Sequence, residues 1–126
     1  MKKSICTLVL VFVMFVLGAC VSSEFNGSRT GNAEQLIMEY QVLNKRDFQI
    51  LELSAGDYVD FMVASESGKI DILLQREGEE PLYNGVDVPT GSFEIMIEET
   101  GSYTVSVTGE KARGSVSIVK RELIQK

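Results

Sequence analysis

From Leu36 onward the chain alternates apolar and polar positions with a period of two. Leu36, Met38, Tyr40 and Val42 are followed by the apolar segment Phe48 to Leu53, which ends at Ser54, Ala55, Gly56 and Asp57. Val59, Phe61 and Val63 alternate with Tyr58, Asp60 and Met62, and Ile70, Ile72 and Leu74 come after Ser65, Glu66, Ser67 and Gly68. Phe93, Ile95 and Ile97 alternate with Glu94, Met96 and Glu98. Tyr103, Val105 and Val107 alternate with Ser102, Thr104, Ser106 and Thr108, and Gly114, Val116 and Ile118 close the series. Successive side chains of a strand point to opposite faces, so this pattern predicts half-buried strands with one apolar face each.

Turn chemistry separates the runs. Gly56, Gly68, Gly78, Gly85, Gly91, Gly101 and Gly109 lie between them, beside Asp, Ser, Asn or Thr, the residues that favour tight reversals. No stretch after residue 20 sustains a 3.6-residue period. The expected fold is all-β: about eight short antiparallel strands in a two-sheet sandwich or jelly roll over residues 35–126. A small closed β-barrel satisfies the same period and stays open as the alternative.

The N-terminus breaks the pattern. Lys2 and Lys3 precede an almost unbroken apolar run from Ile5 to Leu17, which ends in Gly18, Ala19 and Cys20. A basic start, an apolar centre and a small-residue end make a secretory signal peptide, here a helix over residues 1–19. The run is short for a membrane span, which needs about 20 apolar residues. Leu17, Gly18, Ala19 and Cys20 resemble the lipobox of bacterial lipoproteins. That resemblance implies diacylglyceryl transfer to the Cys20 sulfur, cleavage before it and an acylated new N-terminus. Two or more acyl chains suffice for stable anchoring, so the expected location is the bacterial envelope, outside the cytoplasm, with the membrane as one partner. Residues 20–34 are rich in Ser, Gly and Asn without an apolar period, which predicts a flexible tether.

Composition narrows the chemistry. Removing Lys2 and Lys3 with the signal leaves ten basic residues against eighteen acidic ones, a net charge of −8. Scattered acids keep a domain soluble and argue against nucleic acid as a partner. The chain has no histidine and no tryptophan, and its two cysteines are Cys6, in the signal, and Cys20. No disulfide framework is therefore expected. The absence of histidine excludes a Ser-His-Asp arrangement and any histidine metal site.

Gly101, Tyr103, Val105 and Val107, with the Gly114 to Ile118 strand after them, resemble the C-terminal hairpin of small extracellular jelly-roll sandwiches such as GOLD-type and bacterial pre-peptidase C-terminal domains. The resemblance implies a sandwich fold and a non-catalytic accessory or interaction role; no binding residue is carried over from it.

Candidate sites are few. Asp57, Asp60 and Asp71 are the candidate calcium ligands, because Ca²⁺ takes oxygen donors from several carboxylates. Alternation nevertheless puts Asp60 and Asp71 on outer strand faces as solvated charges. Glu98 and Glu99, the group Glu77, Glu79 and Glu80, and the pair Ser67 and Lys69 are the remaining groups with acid–base or nucleophilic potential. They sit at strand ends with nothing to bury them, so neither an enzyme nor a cofactor is expected. Tyr58, Met62, Tyr83 and Met96 fall out of phase with the core and are expected to face outward, where a gathered apolar patch marks an interaction surface. Tyr103 is in phase with the core, its hydroxyl expected to reach backbone at the sandwich edge. The functional expectation is a membrane-anchored, non-catalytic binding or accessory module for a protein or glycan. The alternatives are a structural envelope lipoprotein without a ligand and a calcium-dependent binding module.

Overall fold

A computed structural model describes residues 24–122; the signal segment, Cys20 and the start of the tether lie outside the described residues. Seven antiparallel strands are present: β1 Phe25–Asn32, β2 Gln35–Leu43, β3 Arg46–Leu53, β4 Tyr58–Arg76, β5 Pro81–Gly85, β6 Gly91–Met96 and β7 Gly101–Arg121. They form one continuous hydrogen-bonded sheet, and no described residue is helical.

Four long runs of chain make up most of this sheet. The central pair is β4 and β7, which stay paired from Tyr58↔Arg121 to Arg76↔Tyr103. On the far side of β7 lie β3, paired with its first half, and β2, paired with its second half. On the far side of β4 lie β6 along Tyr58–Val63 and β5 along Ile72–Gln75. The β4–β7 register slips at Ser65/Ser67 and again at Ser67/Lys69, the bulge geometry that bends and twists a strand. Gly68 sits at this crease with φ +73°, and a Cβ there would strike the Lys111 carbonyl oxygen, so only glycine fits.

The crease folds the sheet on itself into two facing halves. One half holds β1, β2, the end of β7, the start of β4 and β6. The other holds β3, the start of β7, the end of β4 and β5. Phe61 and Phe93 of the first half meet Tyr83 of the second, with ring centroids 5.7 and 5.0 Å apart. Leu36, Met38, Val59, Phe61, Val116 and Ile118 project inward from one half, and Leu51, Leu53, Ile72, Leu74, Val105 and Val107 from the other; all are buried. Each such side chain contributes about 1.5–3 kcal/mol by leaving water. The sheet has free edges and is not closed into a barrel.

Two expectations change in detail. The segments around Val59–Val63 and Ile70–Leu74 are halves of one strand, β4, and those around Tyr103–Val107 and Gly114–Ile118 are halves of β7. Ser67, Gly68 and Gly109 read as turns in the sequence, yet they mark a bend that the ladder passes through. The tether expected over residues 20–34 is also corrected over part of its length. Phe25–Asn32 forms β1, paired with β2 from Phe25↔Leu43 to Asn32↔Gln35. The main-chain ladder holds this strand, not an apolar face, and that is why alternation did not disclose it. Arg29 completes the hold, donating from Nε to Asp47 Oδ2 at 2.8 Å and from Nη2 to the Phe48 carbonyl at 2.8 Å.

Candidate functional site

On β4, the inward phase of Val59, Phe61 and Val63 sends Tyr58, Asp60 and Met62 to the outer surface. Cross-strand partners share a face, so three rows can be read from the register. Tyr58 lies between Met96 of β6 and Arg121 of β7, Asp60 between Glu94 and Val119, and Met62 between Ser92 and Ser117. Three of the four residues expected on an interaction surface, Tyr58, Met62 and Met96, thus share one face. Met62 is 64% exposed and Met96 49%. The last two rows border a depression of about 550 Å³.

Arg121 organises the polar half of this face. Its Nε donates to Asp60 Oδ2 at 2.8 Å, and its Nη2 donates to Asp60 Oδ1 at 3.1 Å and to Glu94 Oε1 at 2.8 Å. The guanidinium also lies over the Tyr58 ring, 4.7 Å from its centroid. Two parallel bonds to one carboxylate fix the plane of the group, and the ring face attracts the cation. The bond to Asp60 is the main reason the Arg121 pKa is raised above its ordinary value. The result is a pre-ordered charged cluster beside two mobile thioether side chains, which adapt readily to a contacting surface.

The fourth residue of the set turns the other way. Tyr83 pairs with the inward Leu74 of β4 and so shares its face. Its ring packs against Phe61 and Phe93 at the mouth between the halves. The expected outward direction of Tyr83 is therefore corrected: its cross-strand partner Leu74 sets its face.

The three aspartates are dispersed. Asp57 is buried, and its Oδ2 accepts the Ser54 N–H at 2.8 Å, closing the turn before β4. Asp60 is held by Arg121, and Asp71, on the outer face of the other half, accepts the Asp87 N–H at 2.8 Å. Among the described residues no group of three or more His, Cys, Asp or Glu side chains is placed to hold a metal ion. Glu99 and Glu79 flank Arg76 at 3.3 and 3.8 Å, and Lys69 faces Glu110 at 3.8 Å rather than Ser67.

Sequence reasoning missed two features. Phe48 and Ile50 are exposed on the outer face of β3, opposite Ser106 and Thr104; the phase set by the buried Leu51 and Leu53 would have placed them there. Arg121 carried no signal, since its partners lie on two other strands, Tyr58 and Asp60 on β4 and Glu94 on β6. At the crease, Glu66 and Arg113 pair at 3.5 Å beside a polar depression of about 450 Å³.

No protein-family profile matches the chain, and no curated protein sequence matches it. Among solved structures it is similar to Aeromonas hydrophila PliG, a periplasmic lysozyme inhibitor of g-type lysozyme. That match has 11% identity and a TM-score of 0.48, and covers 79% of this chain and 89% of the other. A second similarity is to TmCBM61 in complex with β-1,4-galactotriose, at 24% identity and a TM-score of 0.38, covering 79% of this chain and 70% of the other.

Proposed function

We propose that this protein is a lipid-anchored, non-catalytic binding module of the bacterial envelope, which engages a protein or glycan through the outer face of the half containing β6. The Cys20 lipobox supports the anchor. The observation that carries the binding reading is the juxtaposition on one exposed face of Tyr58, Met62 and Met96 with the ordered Arg121–Asp60–Glu94 cluster. Apolar side chains gathered beside fixed charges suit recognition.

The test is photo-crosslinking on intact cells, with the reactive side chain placed at Met62 in one strain and at Asn84, on the other half, in a second. A discrete adduct from Met62 that is absent from Asn84 supports the reading. Adducts of equal pattern from both positions, or from neither, favour the structural lipoprotein without a ligand.

A further inference from the structure

The two sides of the folded sheet end differently. At the β3 edge most of the outward main-chain groups from Phe48 to Glu52 are occupied. The Phe48 N–H donates to Asp47 Oδ1 at 2.7 Å and the Phe48 carbonyl accepts from Arg29 at 2.8 Å. The Ile50 carbonyl accepts from the Gln49 side chain at 3.3 Å, and the Glu52 N–H donates to the Ala33 carbonyl at 2.9 Å. At the opposite side β5 opens with Pro81, which has no N–H to offer. Bulges, prolines and side-chain caps of this kind are how sheets keep their edges from pairing.

The β6 edge has none of these. Ile97 donates its N–H to the Asp57 carbonyl at 2.8 Å, and the Tyr58↔Met96 to Val63↔Gly91 register continues unbroken from there. Alternation then directs the main-chain groups of Ile95 and Phe93 toward β4 and those of Ser92, Glu94 and Met96 away from it. No described residue bonds to those outward groups. A ladder of three residues stands open, on a strand with no proline and no bulge.

The side chains around this ladder describe its complement. Phe93 and Ile95 point inward yet stay half-exposed, because nothing beyond β6 covers them. Glu94 lies at the middle of the ladder, with Asp87 before the strand and Glu98 and Glu99 after it. Arg121, the cation beside this ladder, is already held by Asp60 and Glu94. A second copy is a poor occupant: centred antiparallel pairing of two β6 strands sets Glu94 opposite its own counterpart, and like charges directly opposite repel.

Building on the binding-module reading above, we propose that β6 accepts an extended segment of a partner protein as an added antiparallel strand. Alternate residues of that segment are apolar and cover Phe93 and Ile95, and a Lys or Arg on its other face meets Glu94. Main-chain bonds supply affinity in such strand addition, and alternate side chains supply specificity.

The test uses the full chain, purified in mild detergent and panned against a library of random dodecapeptides. Enriched peptides are then studied by amide hydrogen exchange. The expected result is alternating apolar peptides with a basic residue, which protect the Ser92, Glu94 and Met96 amides. N-methylating one alternate set of peptide nitrogens should weaken binding about tenfold or more, and N-methylating the other set should not. Ser92→Pro, a change tolerated where a strand N–H faces solvent, should do the same at unchanged melting temperature, and Glu94→Lys should switch the selection to acidic peptides. Peptides that shift Tyr58 and Met62 without protecting β6 would overturn strand addition and leave the binding-module reading standing. No enrichment at all would also overturn it, and the Met62 crosslink then decides the broader reading separately. A concentration-dependent dimer that protects the same amides would replace the partner segment with a second copy.

Discussion

The Tyr103 hydroxyl donates a 2.6 Å hydrogen bond to the Glu99 carbonyl, tying the first turn of β7 to the loop that leads into it. The ring is buried among the core residues, and desolvation is the main reason its pKa is raised. Tyr103→Phe should keep the packing and lose the bond. The expected cost is about 1 kcal/mol, read as a lower midpoint in urea with an unchanged slope.

Tyr40 presents the reverse case. Its hydroxyl is buried without a hydrogen-bond partner among the described residues, and burial pushes its pKa up to about 12. In the unfolded chain a tyrosine titrates near 10. The unfolded state therefore loses its proton first, and stability falls as pH rises from about 10 to about 12, where the folded state titrates too. Tyr40→Phe should raise stability at pH 7 by about 1 kcal/mol. It should also flatten the alkaline decline measured by urea melts across that window.

Gly68 and Gly78 separate backbone strain from collision. Both have positive φ, +73° and +81°, but a Cβ at Gly78 meets nothing within 4 Å whereas one at Gly68 meets the Lys111 carbonyl. Gly78→Ala should cost about 1 kcal/mol from φ alone. Gly68→Ala should cost at least about 2 kcal/mol more, because the crease must open. Equal melting temperatures for the two variants would mean that the ladder shifts freely at the bend.

Alternation disclosed the fold class and most of the core, because each inward set such as Val59, Phe61 and Val63 answers to one buried face. It did not disclose that strands continue through Gly68 and Gly109, since a bulge and a turn use the same residues. Nor did it disclose β1, whose hold comes from the ladder and from Arg29. For the candidate site, the phase of β4 and β6 gives the outer face that Tyr58, Met62 and Met96 share. Alternation misplaced Tyr83, whose face is set by its pairing with Leu74, and it could not join Arg121 to Asp60, 61 residues away in the chain.

The lipobox reading makes Cys20 the anchor. Cys20→Ser should abolish incorporation of labelled palmitate and release the protein from the membrane fraction. Continued membrane association of that variant would refute lipid anchoring through this residue.

The separation of Asp57, Asp60 and Asp71 predicts that divalent cations leave stability unchanged. A calcium ion bound only to the native state would add about 2.7 kcal/mol at a hundredfold excess over its dissociation constant. Melts in EDTA and in millimolar Ca²⁺ should coincide. A rise with Ca²⁺ that Asp60→Asn removes would restore the calcium-dependent alternative.

The pairing of β2 and β3 with β7 sets the order in which the molecule can come into being. β2 and β3 reach the rest of the sheet only through the last of the seven strands, so Gln35 waits for Val119 and Leu53 for Gly101. Contacts so distant along the chain must meet their loop-closure cost before they return any stabilisation. A nascent chain emerging from the ribosome therefore has no complete sheet to close until residue 121 has been made. The sheet closes late in folding, once β7 can pair with β4 on one side and with β2 and β3 on the other.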